Sequence, residues 1–212
     1  MILHAPHFDT AFRAELTALF RWRRDVRRFR TTPLDPGQVA GLLHTASLSP
    51  SVGLSQPWRF VLVDAPERRA AIRRSFERCN AEALAAQPGH RSAVYARLKL
   101  AGLDEAPCHL AVFAESEPDQ GHGLGRRTMP DTTAYSAVIA IHTLWLAARA
   151  SGLGLGWVSI LDPDAVLGIL EVPAGWRFIA YLCLGLPQAE DDTPALQRAG
   201  WEQPQAPIVL QR

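Results

Sequence analysis

The sequence predicts an α+β fold built as a single domain over residues 1–212. Three observations carry this reading. Helical and strand patterns alternate only loosely and long helices dominate, which favours a helix-and-sheet sandwich over a doubly wound sheet. A chain of 212 residues is enough for one full core and too short for two ordinary domains. The stretch 131–151 reads as a long helix with apolar residues almost all round, among them Val138, Ile139, Ile141, Leu144, Trp145 and Leu146. Such a helix is buried on most sides, and in a chain this small a subunit interface is a natural place for it.

The elements follow in order. Residues 10–22 predict a helix, with Phe12, Leu16, Leu19 and Phe20 on one face. The dense basic run RWRRDVRRFR comes next, at 21–30. Asp35 as N-cap and Pro36 at the first helical position open a second helix, with Val39, Leu42, Leu43 and Ala46 as its apolar stripe. Ser49 and Pro50 stop it. Residues 59–63 predict a strand, and 67–86 and 91–103 two helices. Residues 108–114 predict a second strand, and the polar, glycine-rich stretch 119–130 a loop. After the helix 131–151, Gly152 is a natural C′ residue. Residues 155–160 predict a third strand, Asp162 and Pro163 cap another helix, and 177–184 predict a fourth strand. The proline-containing tail from Pro187 shows no clear pattern.

Composition excludes several classes. Hydrophobic residues at 48% and charged residues at 20% are the balance of a folded globular chain. Lys and Arg number 22 against 21 Asp and Glu, a net charge of +1, so no global basic field points to nucleic acid. Cys79, Cys108 and Cys183 are odd in number, far apart and without a CxxC pair, which argues against a disulfide framework or zinc site and fits a reducing compartment. The first residues lack a basic region followed by an apolar run, so no signal peptide is expected. The longest apolar stretch, near 137–150, is interrupted by His142 and Arg149 and falls short of the roughly 20 residues of a membrane span. The expected location is cytoplasmic.

Four segments are candidates for a site. Arg23, Arg24, Asp25, Arg27 and Arg28 place several guanidiniums together, a pattern suited to phosphate, whose oxygens accept paired hydrogen bonds from the planar fork. A solvated basic face is the plain alternative. Asp25 fits it less well, because a carboxylate inside a cationic cluster stays ionised beside any bound anion. The segment 49–60, SPSVGLSQPWRF, has small residues that let backbone approach a flat ligand, and Gln56 supplies donor and acceptor; it could equally be only a turn. GLGLGWVS at 152–159 is wrongly spaced for a dinucleotide fingerprint and runs from helix to strand, so it marks a tight chain path beside a ligand or another backbone. GHGLGRRTMP at 121–130 offers amides and two arginines, as an anion site or a mobile lid. His4 and His7 have only metal-like spacing and no third ligand, so no metal site is expected. His44, His109 and His142 fall in helix or strand patterns and are expected to pack. No nucleophile elbow and no P-loop occurs.

The order of these segments resembles the FMN-dependent nitroreductase family over nearly the whole chain. The phrases RRDVRRFR, SPSVGLSQPWRF, YARLKLAGL, GHGLGRRTMP, LWLAARASGLGLGWVSILDP and RAGWE together resemble one branch of it. In that branch reduced FMN is the substrate, fragmented with dioxygen to a benzimidazole base for cobalamin and a four-carbon sugar phosphate. Departures from a general nitroreductase point the same way: Asp25 stands where a serine is usual, and Leu54 where an asparagine is usual.

The resemblance implies a nitroreductase-like sandwich with a central, mainly antiparallel sheet flanked by helices. It implies a domain-swapped homodimer with shared FMN sites, the tail 187–212 wrapping the partner. It implies that Arg23, Arg24 and Arg198 hold the phosphate and Arg27 the pyrimidine edge, with Val26 also contacting the flavin. Asp25 and Ser159 are the implied catalytic residues, Asp25 toward the ribityl hydroxyls or ring edge and Ser159 near N5. Gly156 is to leave room for the ring, Ser51 and Gln56 to line ring or chain, and the loop 121–129 to cover the site. Dioxygen is the implied co-substrate, a flavin reductase the implied source of reduced FMN, and no metal is implied. Two rivals remain open at this point: a nicotinamide-dependent nitro- or quinone reductase of the same fold, and a flavin-binding protein without turnover.

Overall fold

The computed structural model describes residues 5–212, so His4 of the His4/His7 pair lies outside the described residues. Four strands form one sheet: β1 (Trp58–Leu62), β2 (Cys108–Glu115), β3 (Gly154–Val158) and β4 (Trp176–Gly185). Their order is β1-β2-β4-β3 and every neighbouring pair is antiparallel. Among the described residues seven α-helices surround it: α1 (Thr10–Trp22), α2 (Pro36–Ala46), α3 (Pro66–Ala85), α4 (Gly89–Tyr95), α5 (Thr132–Ala150), α6 (Pro163–Leu170) and α7 (Ala195–Arg198).

Side-chain alternation in the central strands divides the core into two layers. Ala111, Phe113, Tyr181 and Cys183 face one side, where Ile72 of α3 and Val166 and Leu170 of α6 cover them. Leu110, Val112, Ala180, Leu182 and Leu184 face the other, against Val39 and Leu42 of α2 and Ile141, Leu144 and Ala148 of α5. A sheet covered on both faces explains why β2 reads as a continuous apolar run. The helix starts follow the predicted chemistry. Asp35 Oδ1 accepts from the amides of Gly37 at 2.6 Å and Gln38 at 3.1 Å, and Asp162 Oδ1 from those of Asp164 at 3.1 Å and Ala165 at 3.2 Å.

Two expected boundaries are corrected. The helix expected over 91–103 ends at Tyr95. Beyond it the Lys99 carbonyl accepts a hydrogen bond from Arg27 Nη1 at 3.0 Å, and Gly102 passes so close to the Phe29 ring that a Cβ there would overlap it. Tertiary partners on the 23–29 segment thus replace the intrahelical ones. The strand expected over 155–160 ends at Val158, where pairing with Tyr181 stops, and Ser159 lies exposed just beyond it.

Several apolar surfaces are uncovered within one chain. No residue of α1 is buried, and its Phe12, Phe20 and Trp22 are 41%, 45% and 39% exposed. The same holds for Tyr135, Val138 and Ile139 on α5 and for Ile208, Val209 and Leu210 in the tail. The α5 helix is therefore buried on one side only: Ala137, Ala140, Ile141 and Leu144 pack inward and an apolar stripe faces out.

Candidate functional site

The basic segment is bound to the open edge of the sheet. After α1 the chain turns extended at Arg23. Asp25 bridges Leu155 in parallel fashion, and the Val26 amide donates to the Leu155 carbonyl at 3.0 Å. The Asp25 carboxylate holds both neighbours: Oδ1 accepts from the Trp157 amide at 2.9 Å, and Oδ2 pairs with Arg27 Nε at 2.7 Å. These bonds cover the outer edge of β3, which would otherwise present unpaired backbone. Gly156 makes the approach possible. A Cβ at that position would collide with the Val26 carbonyl oxygen. The room expected there for a ring is occupied by the Val26 backbone.

This anchoring gathers charges around a cavity of about 430 Å³ lined by Arg24, Asp25, Val26, Arg27, Lys99 and Arg198, among others. A neighbouring hollow of about 210 Å³ is bounded by Arg23, Arg24, Asp25 and Arg27. The larger one lies within the roughly 300–1,000 Å³ range of small-molecule sites. The cations differ in how far they are already engaged. Arg198 bonds the Thr193 carbonyl at 2.6 Å and Asp191 at 2.7 Å, and Lys99 pairs with Glu105 at 3.2 Å. Arg24 Nη2 donates to the Phe20 carbonyl at 3.2 Å, while its Nε is buried without a partner. Arg23 lies over the Trp145 ring, 4.8 Å from its centroid, and has no acidic partner within 4.0 Å among the described residues. Burial, and then the charge of Arg24, pull its pKa below the ordinary arginine value. A buried orphan donor beside an unpaired guanidinium is what an anionic group would complete.

Ser51 and Gln56 belong to a separate structure. The segment passes through a short 3-10 turn, Val52–Leu54, where Ser51 Oγ accepts from the Gln56 amide at 3.0 Å. Gln56 sits at φ 43°, an uncommon conformation for a residue with a side chain. The Val52 amide donates to Ser136 Oγ of α5 at 3.0 Å, and Gln120 Nε2 donates to the Leu54 carbonyl at 2.5 Å. The glycine-rich loop therefore packs on the 50–57 segment; Gly121 lies so near the Gly53 carbonyl that a Cβ would come within 2.7 Å of it. That loop encloses its own open hollow of about 430 Å³, with His122, Arg126 and Arg127. Within one chain neither Ser51, Gln56 nor Ser159 lines the arginine cavity, and Ser159 Oγ makes no hydrogen bond among the described residues. Among the described residues no group of three or more His, Cys, Asp or Glu could hold a metal ion.

The structure adds Lys99, Trp145 and Trp157 to the surroundings of the basic segment. Lys99 and the tryptophans stand in phrases that carry the resemblance, but nothing local in sequence says that they converge.

Residues 20–186 match the model of the nitroreductase family, and the chain belongs to that family. Two of its relatives define the branch. A 5,6-dimethylbenzimidazole synthase of Rhodospirillum rubrum is 59% identical over 98% of both chains, and one of Rhodobacter capsulatus is 49% identical over 93% of this chain and 95% of that protein. Among solved structures, an iodotyrosine deiodinase bound to FMN and 3-iodo-L-tyrosine superposes with a TM-score of 0.72 at 24% identity, covering 92% of this chain and 97% of that one.

Proposed function

We propose that the protein is a 5,6-dimethylbenzimidazole synthase that fragments reduced FMN with dioxygen to 5,6-dimethylbenzimidazole and erythrose 4-phosphate. The observation that carries the reading is the anion-ready basic segment with a carboxylate fixed at its centre: Arg24 Nε buried and unpartnered, Arg23 free of acids, Asp25 tied to Trp157 and Arg27. That carboxylate opposes phosphate binding electrostatically, and while it anchors Trp157 and Arg27 its side chain also remains partly exposed on the cavity wall. Near-full-length identity to proteins named for this activity supports the same choice.

In this reading Arg23, Arg24 and Arg198 hold the phosphate, and Arg27 the pyrimidine edge. Asp25 accepts a proton or hydrogen bond from the ribityl chain. Its two internal bonds set its orientation, and its side chain stays 29% exposed on the cavity wall. Reduced FMN supplies the reacting ring and chain, and dioxygen is the oxidant. Ser159, Ser51 and Gln56 complete the site from a second copy of the chain, with two FMN per homodimer. The uncovered apolar faces of α1 and α5 and the apolar tail are the surfaces we assign to that dimer, with the tail 187–212 wrapping the partner. The loop 121–129 covers the site and excludes water, which would divert the oxygen chemistry to hydrogen peroxide. A separate flavin reductase supplies the electrons. Cys79, Cys108 and Cys183 are free thiols, in keeping with the cytoplasm; no helix among the described residues is long and apolar enough to cross a membrane.

The test is aerobic incubation with chemically reduced FMN and no nicotinamide. Formation of 5,6-dimethylbenzimidazole supports the proposal. Recovery of intact FMN after repeated reduction and exposure to air overturns it, in favour of a binding protein. Turnover of nitro compounds that depends on NAD(P)H, without the benzimidazole, overturns it in favour of a reductase.

A further inference from the structure

Of the four arginines assigned to the flavin in the proposed function, Arg23 alone makes no side-chain hydrogen bond or ion pair among the described residues. Arg27 spends donors on Asp25 and the Lys99 carbonyl, Arg24 on the Phe20 carbonyl, and Arg198 on Asp191 and the Thr193 carbonyl. Arg23 is half-buried, makes no side-chain hydrogen bond and has no acid within 4.0 Å among the described residues. A guanidinium in that state is normally placed by an ion pair. Here an aromatic face takes that role: its Cζ lies 4.8 Å from the centroid of the Trp145 ring.

Trp145 holds the segment twice. Its Nε1 donates to the Arg24 carbonyl at 3.2 Å while its ring lies against the Arg23 guanidinium, so one side chain fixes the backbone after Arg23 and the charged group itself. Trp145 stands on the nineteen-residue helix α5 beside its buried Ile141 and Ala148, packs against the same core cluster, and is flanked by the Trp157 ring at 6.4 Å. Stacking on a ring face leaves the in-plane N–H groups of the guanidinium available, whereas a carboxylate would consume them.

We propose that Trp145 is a positioning residue that aims the free donors of Arg23 at the phosphate of the flavin. The inference rests on the reading that the basic segment grips that phosphate. It assigns Trp145 a share of the discrimination between phosphorylated and unphosphorylated flavin, without contact with either.

The experiment measures dissociation constants of oxidised FMN and of riboflavin for wild type, Trp145→Leu, Trp145→Phe, Arg23→Gln and the Trp145→Leu/Arg23→Gln pair, each with its melting temperature. Arg23→Gln is expected to weaken FMN by about tenfold and leave riboflavin unchanged. Trp145→Leu is expected to remove most of the same FMN preference, with no further loss in the double variant. Trp145→Phe, which keeps a ring face, should recover part of it. If Trp145→Leu weakens FMN and riboflavin equally, or its effect adds fully to that of Arg23→Gln, Trp145 is only packing and the inference falls. If Arg23→Gln itself leaves the FMN-to-riboflavin ratio unchanged, the phosphate reading falls and takes the inference with it. Should Trp145→Leu fail to fold, Trp145→Phe with and without Arg23→Gln carries the same comparison.

Discussion

Gly156 and Val26 touch backbone to backbone: the space of a Gly156 side chain is filled by the Val26 carbonyl oxygen. The basic segment joins the β3 edge through this contact together with the Val26–Leu155 and Asp25–Trp157 hydrogen bonds, so in the proposed reading the glycine supports the segment that holds the phosphate. Gly156→Ala forces the two strands apart. It should cost roughly 1–3 kcal/mol or more, in the range of overpacked interiors, and weaken FMN along with it. Denaturant midpoints and FMN titration check this; a variant with wild-type stability and affinity would contradict it.

Asp25 has two jobs in this account, and a pair of variants separates them. Asp25→Asn keeps an acceptor for the Trp157 amide and then turns its Nδ2 donor toward Arg27 Nε. Arg27→Gln breaks the same ion pair and leaves the carboxylate. We expect both to lower stability, and only Asp25→Asn to reduce benzimidazole formed per flavin oxidised by about 10²-fold or more, as for loss of a general base. Equal product yields per flavin in the two variants would leave Asp25 as an anchor alone.

Ser159 offers a cleaner separation of chemistry from folding. It is exposed just past β3 and its hydroxyl bonds nothing among the described residues. Ser159→Ala should therefore shift stability by no more than about 0.5 kcal/mol. Product formation should fall by about 10²–10³, the usual loss for one positioned donor in a dry site. Unchanged yield would show that the side chain is idle.

Stability should fall in mild acid through His109. The ring is 1% exposed in the sheet core, its Nδ1 lies 2.9 Å from Tyr181 Oη, and burial first, then nearby Arg69, lowers its pKa to about 4. A histidine ordinarily titrates near 6.5. Between those values the unfolded chain takes up a proton that the folded chain refuses. Unfolding free energy therefore drops as pH falls from about 6.5 to about 4, and this contribution is constant outside that window. Urea titrations across the window measure the slope. An NMR titration should show one imidazole still neutral at pH about 5; if every imidazole protonates near 6.5, the prediction fails.

The uncovered faces of α1 and α5 predict the assembly. An obligate interface of this kind buries more than about 2,000 Å², and Val138 and Ile139 sit in the exposed stripe. Val138→Asp with Ile139→Asp should give a monomer in sedimentation that no longer retains FMN. A wild-type chain that is monomeric at micromolar concentration and still active would refute the shared site.

By itself the sequence determined most elements, because their signals are local. Aspartate-proline pairs cap α2 and α6, periodic apolar residues mark α1, a long stretch apolar almost all round marks α5, and aromatic and β-branched runs mark β1 and β4. It also determined the family, through six phrases in order, and the basic cluster as a candidate site. Only the tertiary structure decided where α4 stops, since the competing partners, Arg27 and Phe29, lie some seventy residues earlier. It decided that two glycines serve β3, a strand of weak intrinsic preference, by letting the Asp25–Val26 backbone close its edge. It also decided which charges are free. Sequence shows a row of arginines, but which of them pairs with a nearby carboxylate, as Arg27 does with Asp25, and which rests on Trp145 more than a hundred residues away is settled only by the packing. Charge is a property of the residue, whereas the availability of its hydrogen-bond donors is a property of the packed neighbourhood.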